Sequence, residues 1–184
     1  MALDVEQDRT IAASDRLKDV VGHFATGVVV VTGVVDDEPA GFTLQSFVSL
    51  SLAPPLVLVC PARGSSTWPR LRHAETICLN VLAEDQQSLS NRFARSSADR
   101  FAAVPWSPSP GGAPVLSGVC AWLEGRLRHE YDGGDHTIAV LEVTDLDSRA
   151  VARPLLFHRA GYGLHSTFLR HRISLDEGTV GWDW

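Results

Sequence analysis

The run VVVVTGVV, Val28 to Val35, is β-branched at nearly every position. Side chains forked at Cβ lose rotamer freedom in a helix and pack well on a pleated surface, so the run is a strand. DDEP supplies turn chemistry after it, and AGFTLQSF resumes an extended pattern, which makes the pair a β-hairpin. Pro54-Pro55 then stops any helix and launches LVLVC, and TICLNVL reads as a further strand. From Val119 the chain sets Ala121, Leu123, Gly125 and Leu127 against Trp122, Glu124, Arg126 and Arg128, a strand with two different faces. YDGGDH is its hairpin turn, HTIAVLEVTDL the return strand, and PLLFHR a shorter addition.

Three segments follow helical rules instead. Ser14 caps a helix whose Leu17, Val20, Val21 and Phe24 form one apolar stripe before Gly27 ends it. WPRLRHAE is a second helix, begun by Ser66 or Thr67 with Pro69 in its first turn, and residues 84–103 are a third. WSPSPGGAP has the Pro, Gly and Ser density of a loop. About seven strands joined mostly by short hairpins predict a mainly β fold, a closed antiparallel β-barrel with flanking helices that hides its sheet edges. A chain of 184 residues suits one domain, with its core at about 14–165 between a polar N-terminal arm and a C-terminal tail. Runs such as VVVVTGVV and TIAVLEV are hard for so small a barrel to cover on both faces, which predicts a homodimer.

Acidic residues outnumber basic ones 22 to 16, and no basic face for nucleic acid is evident. The N-terminal MALDVEQDRT is acidic where a secretion signal is basic, and no run reaches membrane-spanning length, so a cytoplasmic location is expected. Cys60, Cys78 and Cys120 lie far apart in apolar surroundings without CxxC spacing, which predicts reduced thiols and no metal site. No Walker loop occurs, and Gly161-Tyr-Gly163-Leu-His-Ser166 lacks the third glycine, the preceding parallel strand and the following helix of a dinucleotide fingerprint. A nucleotide would have to bind in another way.

Polar residues crowd four places. Thr43, Gln45, Ser46, Ser49 and Ser51 stand on the approach to the LVLVC strand, where satisfying turn backbone explains some of them. In ARGSSTW, Ser65, Ser66 and Thr67 precede a helix, whose free N–H groups and dipole suit a phosphate, whereas capping accounts for one hydroxyl. In SNRF, Arg92 is a bidentate phosphate partner or a solvated helical arginine, and Phe93 an aromatic platform or a core residue. YDGGDH places Asp135 and His136 where a two-glycine turn needs no titratable group.

The succession FATGVVVVT, GFTLQSFVSLSLAPPLVLVC, SST before a helix, NRFA, GGDHTIAVLEV and PLLFHRAGY resembles the flavin reductase family of two-component monooxygenases, in order from about Phe24 to Tyr162. That resemblance implies a flavin-binding split β-barrel acting as an NAD(P)H-dependent flavin reductase. It would reduce FAD or FMN with NADH or NADPH and deliver reduced flavin to a separate monooxygenase. It implies that Gly41, Phe42, Thr43, Gln45, Ser46, Ser49 and Ser51 wrap the isoalloxazine and ribityl chain, with Cys60, Pro61 and Ala62 beside the cofactor. Ser66 and Thr67 would meet the phosphate, which Arg92 and Phe93 complete. His136 would position nicotinamide, with Asp135 beside it and Arg159 and Tyr162 toward the adenine or ribose end. Relatives often carry asparagine where Gln45 stands, and the overall resemblance favours FAD. The alternatives are a non-catalytic flavin- or haem-binding split barrel and a flavin-dependent oxidase of a small metabolite, though no basic substrate cluster supports the latter.

Overall fold

The computed structural model describes residues 14–95, 99–149 and 152–163. Its centre is a seven-stranded antiparallel sheet. The valine run forms β2 (Val29–Val35), turned by Asp36 and Asp37 into β3 (Glu38–Leu44). Both aspartates have positive φ, 53° and 62°, the backbone twist that a two-residue hairpin requires. β4 (Phe47–Leu52) and β5 (Pro55–Val59) form a second hairpin, β6 (Ile77–Val81) pairs with β2, and the long β9 (Ala121–Gly133) and β10 (His136–Ser148) form a third. The order across the sheet is β3, β2, β6, β9, β10, β5, β4. β3 and β4 are therefore its edges, and no ladder joins them among the described residues, so the expected barrel closure is not displayed by the pairing.

Alternation along β2 divides the interior. Val29 and Val31 pack with Val57, Val59, Leu79 and Leu141 on one face of the sheet. Val28 and Val30 pack with Leu82, Phe93, Leu116 and Leu155 on the other. Both faces of the valine run are thus covered within one chain, and the reason the sequence offered for a dimer does not hold. The uncovered apolar residues lie elsewhere. Residues 14–21 form α1, but its Leu17, Val20 and Val21 are exposed, and Phe24 lies beyond the helix with 79% of its surface open. On β4, Val48, Leu50 and Leu52 are exposed as well.

Several stretches fold differently from the sequence reading: the first helix stops at Val21, short of Gly27, and of WPRLRHAE only Trp68–Leu71 is helical. Among the described residues of 84–103 only Gln87–Ala94, α3, is helical, and the chain turns extended at Arg95. WSPSPGGAP is no plain loop: β7 (Trp106–Pro108) and β8 (Pro114–Leu116) pair as a small hairpin. Glu124, expected on the polar face of β9, is 2% exposed and holds that hairpin. Its carboxylate accepts hydrogen bonds from the Ser109 hydroxyl and, at 2.9 Å, from the Gly111 amide. Composition marked the segment as irregular, and a buried acceptor from a distant strand made it ordered.

Short elements complete the fold. α2 (Trp68–Leu71) follows the serine-rich turn. β1 (Thr26–Gly27), β11 (Leu156–His158) and β12 (Gly161–Tyr162) form a separate three-stranded sheet near the end of α1. No helix among the described residues is long and apolar enough to cross a membrane.

Candidate functional site

The polar approach to β5 is largely engaged with the protein's own backbone. Thr43 donates its hydroxyl to the Ser90 carbonyl at 2.8 Å, which fastens β3 to α3 rather than presenting a free donor. Ser46 is a clasp: its Oγ accepts from the Cys60 amide at 2.9 Å and donates to the Cys60 carbonyl at 3.1 Å. Gln45 is exposed and takes a hydrogen bond from Thr26 at 3.2 Å. Phe42 meets the Trp68 ring edge-on, Ser49 is exposed on β4 and Ser51 half-buried. Gly41 is a close approach: a Cβ there would lie 2.7 Å from the Val31 carbonyl oxygen and 3.1 Å from the Phe93 ring.

At the serine-rich turn the hydroxyls have separate tasks. Ser65 Oγ accepts from the amides of Thr67 and Trp68 at 3.3 and 3.1 Å, so it takes up N–H groups the sequence left open for an anion. Ser66 is exposed. Thr67 is buried, and its hydroxyl accepts from Arg100 Nη1 at 2.6 Å. The same guanidinium nitrogen donates to the Gly41 carbonyl at 2.7 Å, and Arg100 Nε to the Arg95 carbonyl at 2.7 Å. Partial burial draws the pKa of Arg100 down. An arginine stays charged nonetheless, so a cation sits between β3 and the start of α2.

Arg92 does not reach this place. It donates to the Ala102 carbonyl at 2.6 Å and lines a different cavity, of about 370 Å³, with Asp85, Gln86 and Ser88. Phe93 is wholly buried, its ring set edge-on against Phe101 at 5.0 Å, so it is a core side chain and not a platform. Arg92 stands out in the sequence as the basic residue beside Phe93 in SNRF, and its phosphate role is what the resemblance implies. Arg100, eight positions on in a stretch read as helix, carried no local signal.

The β9–β10 hairpin brings its tip to the strand end after β5. Ala62 forms an antiparallel bridge with His136, Arg63 N donates to the Asp135 carbonyl and Thr137 N to the Pro61 carbonyl, each at 2.9 Å. Pro61 is buried, Cys60 half-buried and Ala62 exposed. Gly134 takes φ +79° at the turn, where its amide donates to the Asp132 carboxylate at 2.8 Å. That bond, with Arg63 beside it, holds the Asp132 carboxyl below its usual range. His136 Nδ1 lies 2.7 Å from Asp135 Oδ1, and this hydrogen bond keeps the Asp135 carboxyl low as well. Behind the tip a cleft of about 440 Å³ runs past Arg63, Trp68, Arg72 and Tyr131.

Arg159 and Tyr162 stand at the small sheet. The Tyr162 hydroxyl lies 2.9 Å from Ser90 Oγ and donates to Asn91 Oδ1 at 3.1 Å, while its ring packs edge-on against Phe157. Arg159 faces Asp19 of α1. Between α1 and this sheet opens a cavity of about 760 Å³, with apolar walls from Val21, Phe24 and Phe157 and a polar side made by Thr26, Gln45 and Ser46. An apolar slot with convergent polar groups at one side is the form that planar cofactors take up.

The family described as flavin reductase like domain matches residues 21–164. Among characterised proteins, the reductase subunit HsaB of a flavin-dependent monooxygenase from Rhodococcus jostii (strain RHA1) is 42% identical over 163 residues, 86% of this chain and 84% of that protein. The structure of nitrilotriacetate monooxygenase component B from Mycobacterium thermoresistibile superposes with TM-score 0.82 at 34% identity, over 95% of this chain and 94% of that one. The NADH:FAD oxidoreductase SgcE6 of Streptomyces globisporus C-1027, in complex with NAD and FAD fragments, superposes with TM-score 0.78 at 37% identity, over 83% and 93% of the two chains.

Proposed function

Because this chain belongs to the flavin reductase family, we propose that it is an NAD(P)H:flavin oxidoreductase that reduces FAD or FMN and supplies the reduced flavin to a separate monooxygenase. The observation that carries the reading is the bridge between Ala62 and His136. It joins the segment assigned to the flavin with the hairpin tip assigned to the nicotinamide, and hydride transfer demands that those two rings stack.

The residues present suit a flavin. A planar ring with a polar rim needs an apolar slot with a few hydrogen-bonding groups, which Phe42, Gln45, Cys60 and Pro61 would supply from β3, the β3–β4 turn and the end of β5. An anionic tail needs a cation and hydroxyls, which Arg100, Thr67 and Ser66 would supply at the start of α2. When bound, flavin provides the hydride acceptor and reduced nicotinamide the donor. The chain's own work is to hold and align them: the Ser46–Cys60 clasp fixes the inner wall, and Asp135 orients the His136 ring through Nδ1. His136 acts as a positioning residue, since no protein acid needs to carry the hydride. FAD and NADH are the pair we favour, as in the similar NADH:FAD oxidoreductase.

The finer architecture follows the same reading. β3 and β4 are opposite edges of a sheet seven strands wide, yet only Gln45 and Ser46 separate them in sequence. Six strand spacings of about 4.8 Å would put flat edges about 29 Å apart, and three residue steps reach about 11 Å. The sheet therefore curls, and we assign it as a closed split barrel in one domain. The exposed Leu17, Val20, Phe24, Val48 and Leu52 support a homodimer that covers them. Three free cysteines suit the reducing cytoplasm.

Anaerobic mixing of the protein with NADH and FAD, or FMN, tests the function. Bleaching of the flavin absorbance at a rate proportional to protein is the expected result. Flavin that binds yet stays oxidised under saturating NADH and NADPH would leave a carrier and remove the reductase.

A further inference from the structure

β9 changes which of its residues face the interior as it nears the hairpin tip. Leu127 lies opposite Leu141, but the pairing then skips Arg128, so that His129 lies opposite Val140 and Glu130 opposite Ala139. Ala139 and Leu141 belong to the core cluster that includes Trp68. Side chains alternate along a strand, so an unbroken ladder would turn residue 129 inward and 130 outward; the extra residue reverses this and turns Glu130 inward. A carboxylate is costly there unless it is partnered. Glu130, its side chain 15% exposed, accepts a hydrogen bond from Trp68 Nε1 at 3.0 Å through one oxygen and pairs with Arg72 through the other.

The surroundings give this contact its importance. β6 pairs with β9 over Ala121–Gly125, and among the described residues no strand pairs with that side of β9 beyond Gly125. The distal arm, residues 129–140, carries His136 and leans on side chains there instead. Its ion pair between Asp132 and Arg63 is largely in solvent, where such a contact holds little. Trp68, by contrast, is 4% exposed, follows Thr67 in the chain and sets its ring edge-on to Phe42 at 6.3 Å. One sheltered hydrogen bond thus joins the arm assigned to the nicotinamide to both segments assigned to the flavin.

Resting on the reductase reading above, we propose that Glu130 is a positioning residue for hydride transfer, which acts through Trp68 Nε1 to fix the His136 arm against the flavin wall. It touches neither ring. Its contribution is alignment, to which the rate of a transfer between two stacked rings is steeply sensitive, while flavin affinity depends on contacts made elsewhere. The bulge at Arg128 is the device that aims it, in keeping with the use of bulges beside active sites to redirect a side chain.

The test uses the full chain with FAD and NADH and the variants Glu130→Ala, Glu130→Gln, Trp68→Phe and the double variant Glu130→Ala with Trp68→Phe. Anaerobic stopped flow gives the limiting rate of flavin reduction well below Tm, with the Kd of FAD measured alongside. Glu130→Ala and Trp68→Phe are each expected to slow reduction about tenfold or more, with the Kd of FAD held. Glu130→Gln, which keeps an acceptor for the indole, should recover most of the loss, and the double variant should be no slower than the slower single one. A wild-type limiting rate in Trp68→Phe, which removes the donor and keeps a ring in the core, overturns the proposal even where Glu130→Ala fails to fold. Losses that multiply in the double variant overturn it too, as does a fall in FAD affinity that matches the fall in rate. A wild type that leaves FAD oxidised overturns the reductase reading together with this inference, whereas an active wild type beside equally active variants overturns this inference alone.

Discussion

Arg100 donates to the hydroxyl of Thr67 across 2.6 Å, and through the same nitrogen to the carbonyl of Gly41. One cation thereby joins the first strand of the polar approach to the serine-rich turn, the two segments assigned to the ends of one flavin. Replacing it removes the cation proposed for the flavin's anionic tail, whose charge-assisted hydrogen bond is worth roughly 1.5 to 3 kcal/mol. Arg100→Met is expected to weaken flavin binding about tenfold or more, and Thr67→Ala to weaken it in the same direction. Arg92→Ala, whose guanidinium lines another cavity, is expected to bind flavin as wild type. Fluorescence titration of flavin against the three variants checks the order, and a loss in Arg92→Ala with none in Arg100→Met would reverse the assignment.

The His136 side chain can be removed without touching the bridge to Ala62, because that bridge is made by backbone. His136→Ala should keep flavin affinity while slowing flavin reduction on the order of a hundredfold, the loss that a misplacement of about 1 Å brings. Anaerobic stopped flow measures the rate and a parallel titration the affinity. Wild-type reduction in this variant would end the role of His136.

For the dimer, the residues to change are the uncovered ones. Leu52, 72% exposed on β4, and Phe24 just past α1 are the most open of the apolar group. Leu52→Glu and Phe24→Glu should each shift the protein toward a monomer in light scattering at micromolar concentration, with unaltered far-ultraviolet circular dichroism. A wild type that scatters as a monomer refutes the dimer outright.

Burial, helped by the charge of Glu124, pushes the Cys78 thiol up to about 12 from 9.0. A raised pKa means that the folded state keeps its proton while the unfolded chain loses it. Stability is full below pH 9, declines as pH rises from 9 toward 12, and does so by about 1.4 kcal/mol per pH unit for one proton. Cys78→Ala should flatten that stretch in urea unfolding series. Burial raises the Cys120 thiol also, so half-buried Cys60 should be the thiol that Ellman's reagent modifies first in the native protein.

Glu124 and Gly111 provide a test of the small hairpin. Glu124→Ala strands the Gly111 amide and the Ser109 hydroxyl, at roughly 1–3 kcal/mol for each buried group, and each kcal/mol lowers Tm by about 2–4 °C in a chain of this size. Glu124→Gln keeps the shape and should lose less. Gly111→Ala should be worse than surface alanines, because its Cβ would lie 2.5 Å from the Glu124 carboxylate. Thermal unfolding followed by circular dichroism ranks the three.

Local chemistry made much of this fold legible. The valines of β2 and Gly134 of YDGGDH act within their own segments, through rotamer restriction and positive φ, and their strand and turn appear where the residues imply. What could not be read depends on partners distant in the chain. Glu124 looked like a solvent-face residue because its acceptors' donors, Ser109 and Gly111, lie in a stretch whose composition signals only irregularity. That Thr67 and Gly41 serve one ligand was implied by resemblance, but the arginine that joins them was not, since Arg100 follows the end of α3 in a segment that helical spacing misassigned. Leu17, Val20 and Val21 of the expected stripe fall on α1 yet lie exposed, because periodicity tells which residues share a face and is silent on what covers it.

The Ala62–His136 bridge sets a limit on how such a protein can be re-engineered. Its backbone ladder, continued by Arg63 with Asp135 and by Pro61 with Thr137, makes residues 61–63 and 135–137 one mechanical part. A chimera that imports a relative's β9–β10 tip must therefore match its length, or the transplanted tip will meet the strand end out of register. Libraries at this place would do better to keep the length of both segments fixed than to insert or delete residues within the hairpin.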